Sequence, residues 1–480
     1  MDVAPTGPGK TPVTPTATPA AAVAAAPAGR FPAHDARVAR IAADLRARAS
    51  SGAAGAGAAP MSLGKAAVSH FVPNPHDPRH KDKKLDVRDL REVLAFDPTA
   101  RTMTAEPGVT FVELVKRTLP FGLIPKLVPE LETITIGGAV SGCSVESMSY
   151  KYGGFHDSCL EYEALSTSGE VVRCSRTQEP ELFDMLHGSY GTLGILTALT
   201  FELTPAKPYV HLEYVRHARF EDFEAALDAA QRDPGVDFID GIIHAPDELV
   251  LCLGRFAEAP PTDVRASNYR FLDIFYKSTR TRGEDWLTTA DYLFRYDTEC
   301  HWLTRTLPGM ERRPVRLVLG KLLLGSTRLL TWSRRLAPLL KFKRKPEVVV
   351  DVFIPGKRLR DFWDWYVQTI DFWPLWVVPY RLPRRYPWVA PAQAAQGGGY
   401  YVDCAIYGKR NDTPGVDYSQ ALEDKTFELG GIKTLISQNH YSRERFWQIY
   451  DRTVYQRIKQ RMDPAGLLRD LYDKFNFKQA

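Results

Sequence analysis

The sequence predicts an α+β fold in more than one domain, and three observations carry that reading. At 480 residues the chain exceeds what one small core accommodates. Strand-like runs and helical periodicities alternate along most of its length. The stretch Pro129–Gly154 sets Gly137-Gly138, Gly142 and Gly153-Gly154 among small and β-branched residues. Backbone there can approach a bound group closely, because no Cβ intervenes. Such a surface holds something polar and large, with a diphosphate the usual candidate; a tightly packed turn in a β-rich core is the competing reading.

Composition bounds the rest. Hydrophobic content of 44% and charged content of 25% suit a soluble globular protein. Sixty-two basic against 57 acidic residues leave +5, which gives no argument for nucleic acid. Cysteines at 143, 159, 174, 252, 300 and 404 include no C-x-x-C pair, so they predict reduced cytoplasmic thiols rather than a disulfide framework or a zinc site. No apolar run reaches the ~18 residues of a spanning helix.

In order, residues 1–33 form an Ala/Pro-rich tail too poor in large apolar side chains to order itself. His34–Ala49 carries Val38, Ile41, Ala42 and Leu45 at helical spacing. A Gly/Ala/Ser linker follows, and the charged run Lys81–Lys84 reads as a solvated turn. Thr102–Glu106 is a strand closed by Pro107-Gly108, and Thr110 with Glu113 forms a capping box. Thr133–Ile136 reads as a short buried strand. Glu161–Leu165 and Val171–Cys174 make a hairpin, Pro180–Leu186 a short helix, and Ile195–Leu203 a strand. Pro205–Pro208 marks a boundary. Beyond it, strands at Tyr209–Val215, Gly241–Ile243, Leu249–Leu253, Val348–Ile354 and Tyr400–Tyr407 accompany a helix over Phe220–Gln231. The units expected are thus a first domain over 34–208, a second over 209–438, and a C-terminal segment 439–480 that packs back near the first domain's site. In that segment Ser442 caps one helix with Phe446, Tyr450, Val454 and Ile458 on a face, ended by Asp463-Pro464.

Two segments suggest contacts. Residues 312–345 hold eleven Lys/Arg, no acid, and interleaved Leu and Trp332. That pattern suits an interfacial helix on an anionic membrane; a helical pair with a solvated basic face is the alternative. The aromatic-basic cluster Phe372–Trp388 reads as an apolar substrate entrance, or as core plus rim.

Several motifs fail. Gly137-Gly138-x-x-x-Gly142 does not have the spacing of a dinucleotide fingerprint, and neither a Walker A loop nor a G-x-S-x-G elbow occurs. His70, His76 and His80 lack companion ligands and read as surface histidines, so no metal is expected.

Glu106-Pro-Gly108, Pro129-Glu-Leu, Thr135-Ile-Gly-Gly138, Glu146-Ser147, Lys151-Tyr-Gly153, Phe155-His156 and Gly191-Thr-Leu-Gly194 follow one another in a single order. Together they resemble the flavin domain of the vanillyl-alcohol-oxidase-type flavoproteins, the PCMH-type FAD-binding domain, and within them the Δ24-sterol-reductase branch. Pro205-Ala-Lys207, Pro374-Leu-Trp376, Tyr401-Val-Asp403, Tyr407-Gly408 and Arg445-Phe-Trp447 extend the resemblance over roughly residues 35–475. It implies a two-subdomain FAD-binding domain followed by an α+β substrate or cap domain. It further implies that Thr135, Ile136, Gly137, Gly138, Ala139 and Val140 run along the FAD diphosphate and ribityl chain. Ser141, Gly142, Ser144 and Glu146 continue that wall. Gly153, Gly154, Phe155 and His156 approach the flavin or its adenosine arm, and Gly191, Thr192, Gly194 and Ile195 complete the pocket. The Gly-rich loop that often bears a flavinylated His is not recognisable, with only Met61–Lys65 near its place, so the FAD is expected to be non-covalent.

The resemblance implies an FAD-dependent reductase of an isolated C=C bond in a sterol or isoprenoid lipid, with NADPH as reductant. The alternatives are an FAD oxidase or dehydrogenase of a sugar, alditol or lipid-linked sugar hydroxyl, and a flavin-fold protein without activity. Tyr441, His440 and Tyr407 are candidate proton donors with Asn439 as orienter, since His440 titrates nearest neutral pH. The expected location is the cytoplasm, peripheral on the membrane.

Overall fold

The computed structural model describes residues 31–51, 60–67, 77–306, 309–328 and 348–476. The Ala/Pro tail, the Gly/Ala linker, His70, His76 and residues 329–347 of the basic segment lie outside them. Among the described residues the strands form three sheets. Met61–Gly64 and Lys83–Asp86 pair in parallel, so the Lys81–Lys84 run leads into a strand instead of a solvated turn. Leu85 is the residue that anchors it, fully buried beneath the N-terminal helix Pro32–Ser50.

The second sheet is antiparallel, in the order Val93–Asp97, Thr102–Ala105, Ile195–Pro205, Cys159–Leu165, Val171–Ser175, with Leu123–Pro125 added along the end of Ile195–Pro205. The capping box at Thr110 forms as expected and starts helix Phe111–Thr118. Thr133–Ile136 is not a strand. Thr135 caps a helix over Ile136–Gly142, its hydroxyl accepting from the Gly138 N–H at 3.3 Å. The β-branched residues favoured a strand, but the local hydroxyl cap and the packing of Ile136, Ala139 and Val140 decide for a helical turn.

The third sheet runs Glu284–Thr288, Tyr209–His217, Glu248–Ala257, Phe238–Ala245, Leu375–Arg381, Tyr400–Lys409, Val348–Pro355, Ile432–Lys433, all antiparallel. Its faces divide by the two-residue period of a strand. Val348, Val350, Val352, Ile354, Val402, Cys404 and Ile406 meet helices Phe220–Ala230, Leu359–Thr369 and Tyr418–Glu428. Trp376, Val378 and Ala405 face the other way and share one core with the second sheet and the glycine stretch. The α+β class therefore holds, and this second face of the large sheet is the one turned toward the glycine stretch.

The C-terminal helix divides in two. Arg443–Ile449 ends at an extended Tyr450, and Asp451 caps a second helix over Arg452–Met462. Spacing alone could not show the break, because the backbone partners lie elsewhere: Ala390 N–H donates to the Ile449 carbonyl and Asp451 N–H to that of Trp388. The segment does return to the glycine side, where Lys459 and Lys474 donate to the Thr192 and Tyr190 carbonyls.

Candidate active site

The glycine stretch supplies one wall. Gly137 is fixed by packing, since a Cβ there would stand 2.5 Å from the Pro107 Cβ. Gly142 and Gly191 face open space: a Cβ on Gly142 would meet only Tyr190, at 3.8 Å, and one on Gly191 nothing within 4 Å. Gly138, Ser141 and Ser144 are likewise part-exposed. The main-chain donors along 136–139 are already paired. Ile136 and Gly137 N–H groups donate to the Val109 and Pro107 carbonyls, Gly138 to Thr135, and Ala139 to the Thr135 carbonyl. The stretch thus offers a concave surface of small residues and hydroxyls more than a nest of donors.

Facing this wall is a cavity of about 500 Å³. Gly142, Cys143, Gly188 and Tyr190 line it on the glycine side, and Phe353, Tyr380 and Tyr401 from the large sheet on the other. Tyr386, Trp388, Thr434 and Tyr450 close its flanks, with Arg385 exposed among the lining residues. The break at Tyr450 is what brings that ring into the lining. Of the aromatic-basic cluster, Tyr380, Arg384, Arg385 and Trp388 line the cavity, whereas Trp373 packs on Trp363 and Tyr366.

Behind the cavity, on the same sheet face, lies a buried acid cluster. Asp240 accepts from Arg295 at 3.0 Å, Tyr296 at 2.9 Å and Trp376 at 2.9 Å, all on one oxygen. Arg295 also reaches Glu146 at 3.3 Å and lies 4.2 Å over the Tyr292 ring. Glu130 sits 2.8 Å from His301 Nε2, and the His301 ring is stacked on Tyr296 and tilted against Tyr407. Cys300 and His301 both adopt left-handed backbone, which turns the imidazole inward. Tyr407 donates to Asp351, whose other oxygen lies 3.4 Å from the Thr434 hydroxyl. Asp403 stands among them without a hydrogen-bond partner for Oδ1.

Carboxyls outnumber cations here, and the titrations separate accordingly. Burial pushes Glu146 up to about 7 despite Arg295, and Asp351 up to about 6 despite Tyr407. Burial and then the neighbouring Asp351 drive Asp403 well above the carboxylate range. Burial pushes Glu130 up, but the hydrogen bond to and attraction of His301, a backbone hydrogen bond and Arg295 together hold it below its usual value. Carboxyls shifted in opposite directions therefore share one buried space, and such a separation lets neighbouring acids take different proton-transfer roles.

The structure sorts the predicted site residues. Gly137, Gly138, Ser141, Gly142, Ser144 and Gly191 are part-exposed along the wall, while Thr135, Ile136, Ala139, Val140, Gly153, Gly154, Thr192, Gly194 and Ile195 are buried behind it. Phe155 packs on Phe111 and Phe201, and His156 lies 3.1 Å from the Tyr386 hydroxyl and against His187. Glu146 belongs to the acid cluster rather than to the wall. Tyr407 is in the cluster too, but Asn439, His440 and Tyr441 are not. His440 N–H donates to Glu423, which pairs with Lys433 at 2.8 Å, and the Lys433 ammonium lies 5.6 Å over the Tyr441 ring. Lys433 faces the cavity; His440 and Tyr441 meet the Lys433–Glu423 pair, whereas the Asn439 amide donates to the Leu435 and Ser437 carbonyls.

The residues that sequence reasoning missed are Asp240, Arg295, His301, Asp351 and Asp403. A signal was present: Phe-Ile-Asp240-Gly-Ile-Ile, Val-Val-Val-Asp351-Val-Phe and Tyr-Val-Asp403-Cys-Ala each place one carboxylate inside an apolar strand. Such a residue must find a partner or a proton.

Residues 74–175 match the family model described as FAD binding domain. The Delta(24)-sterol reductase of Homo sapiens is 26% identical over 409 residues, covering 82% of this chain and 77% of that protein. That of Arabidopsis thaliana is 24% identical over 438 residues, with the same coverages. Cytokinin dehydrogenase 1 of Arabidopsis thaliana is 26% identical over 164 residues, 34% of this chain and 28% of that protein. The chain carries a PCMH-type FAD-binding domain and is an FAD-dependent oxidoreductase. The open small-residue wall fits such a group, since a Cβ at Gly142 or Gly191 would project into unfilled space.

Proposed function

We propose that this flavoenzyme reduces an isolated C=C bond of a sterol or other isoprenoid lipid, with NADPH as reductant. The observation that carries the reading is the aromatic-lined cavity between the glycine wall and the large sheet. Its volume of about 500 Å³ falls in the range of pockets that enclose a sizeable organic ligand. The relatives named Delta(24)-sterol reductase support the same substrate class. FAD would lie against Gly138, Ser141, Gly142, Ser144 and Gly191, and when bound it supplies the hydride. Phe353, Tyr380, Tyr401 and Trp388 hold an apolar chain and exclude water, which an unpolarised alkene needs because its protonation builds positive charge on carbon. Incubation with NADPH and a panel of sterol and polyprenyl alkenes should yield the saturated lipid. Inertness toward all of them, together with peroxide formation from an alditol or sugar in air, would favour the hydroxyl-oxidising alternative and overturn this one.

Membrane contact belongs to the same reading. Helix Arg313–Leu323 exposes Leu317 (69%) and Val318 (75%), with Arg312 and Arg313 exposed beside them. Arg316 is turned inward onto Glu299, so the basic face is narrower than the sequence suggested. Sedimentation with anionic liposomes at low salt should retain the protein, and L317E/V318E should release most of it. Equal retention of that variant would exclude this surface.

A further inference from the structure

We infer that Asp403 is the proton donor for the second alkene carbon, with Asp351, Tyr407 and Thr434 positioning it and carrying its replacement proton. The assignment rests on the reduction proposed above. Asp403 is 2% exposed, and among the described residues its Oδ1 has no hydrogen-bond partner. It lies directly opposite Phe353 in the register of its strand with Val348–Pro355, and two residues from Tyr401 on the same face. Phe353 and Tyr401 both line the cavity, so Asp403 stands directly behind two lining residues on the same sheet face. Asp351 sits diagonally across the same pair of strands, opposite Ala405. Its carboxylate accepts from Tyr407, and Thr434, a lining residue, is the contact between that carboxylate and the cavity.

The groups facing Asp403 explain why a proton stays there. Asp351 comes from the neighbouring strand, Tyr407 from its own, Glu130 and His301 from loops across it, and Glu146 from beyond Arg295. Its electrostatic neighbours include Asp351, Glu130 and Glu146, all of one sign, while Arg295 is already engaged by Asp240 and Glu146 and His301 by Glu130. Ionising Asp403 would add a further negative charge without a partner. In the reaction, one alkene carbon gains hydride from the reduced cofactor, and the other forms a C–H bond with the Asp403 proton as the π bond breaks. Asp403 is left as carboxylate and regains its proton from solvent through the Thr434–Asp351 side.

The test uses the FAD-loaded enzyme, NADPH and desmosterol, with the variants D403N, D403E and D351N. D403N should accept electrons from NADPH at the wild-type rate, yet transfer them to the alkene at least about 100-fold more slowly, in the range set by loss of a general acid. D403E should recover part of that loss, and D351N should move the alkaline limb of the alkene-dependent step. A separate readout needs no substrate. Infrared spectra of the wild-type chain, with and without ¹³C-labelled aspartate, should show a protonated aspartic carboxyl at neutral pH, and D403N should abolish it. Wild-type alkene transfer in D403N, or no protonated aspartate in the wild type, would overturn the assignment. A wild-type enzyme that leaves every alkene untouched would overturn the reaction itself, and this role with it.

Discussion

Single residues decide what the site can do, and two of them show it from opposite sides. Asp240 receives three donors on one oxygen and is the main counter-charge of the buried Arg295. Replacing it with Leu leaves that guanidinium with Glu146 alone, and breaking such a pair costs about 3–5 kcal/mol. D240L should therefore lower the urea midpoint strongly at unchanged slope, and adding R295M should recover part of the loss. Gly142 behaves differently because nothing but Tyr190 meets its added Cβ. G142V should change stability by less than about 1 kcal/mol, yet weaken FAD binding at least about tenfold if that surface holds the cofactor. Equilibrium dialysis of FAD beside a melting curve separates the two effects. At this scale the sequence was partly readable. Gly142 and Tyr407 stood out, but Asp240, Asp351 and Asp403 are single letters in apolar strands, and only the sheet brings them together.

At the scale of elements, the N-terminal helix Pro32–Ser50 is pinned by an apolar face and by a buried histidine among its polar contacts. Val38, Ile41, Ala42 and Leu45 pack inward, and His34 bridges Glu106 at 2.7 Å and Glu163 at 3.0 Å. Burial works against a charged His34, but the two carboxylates prevail and raise it from 6.5 to about 9. Glu106 and Glu163 are held below their ordinary 4.5, since their hydrogen bonds outweigh burial. A raised histidine stabilises fully below its unfolded value of 6.5, and that contribution is lost as pH rises towards 9. The depressed glutamates stabilise above 4.5 and lose that contribution as pH falls below it. Docking should thus be tightest between about pH 5 and 6.5, and limited proteolysis of residues 32–50 should accelerate as pH approaches 9. H34Q should flatten the alkaline part of that profile. Helix existence here followed from the spacing of four apolar residues. The split of the C-terminal helix did not, because Tyr450 keeps the four-residue spacing while Trp388 and Ala390, sixty residues earlier, take the backbone bonds that end it.

Over the whole molecule, the large sheet and the glycine side enclose one cavity, and the acid cluster lies on the same face of that sheet. The α+β class, the hairpin at 159–175 and most strands of the large sheet were legible, because alternation and turn residues are local signals. Of the candidate site, the sequence marked chiefly the glycine wall. The carboxyls, His301 and the cavity lining come from segments between Glu130 and Tyr450, joined by pairings that no local pattern encodes. In the proposed reaction this geometry would separate hydride delivery at the glycine wall from proton delivery at the sheet. The measurement that tests the central claim most directly is a single anaerobic turnover. Enzyme bleached by one equivalent of NADPH should regain its flavin absorbance on mixing with desmosterol and release one equivalent of saturated sterol. Flavin that stays bleached with the alkene, and reoxidises only when air is admitted, would contradict it.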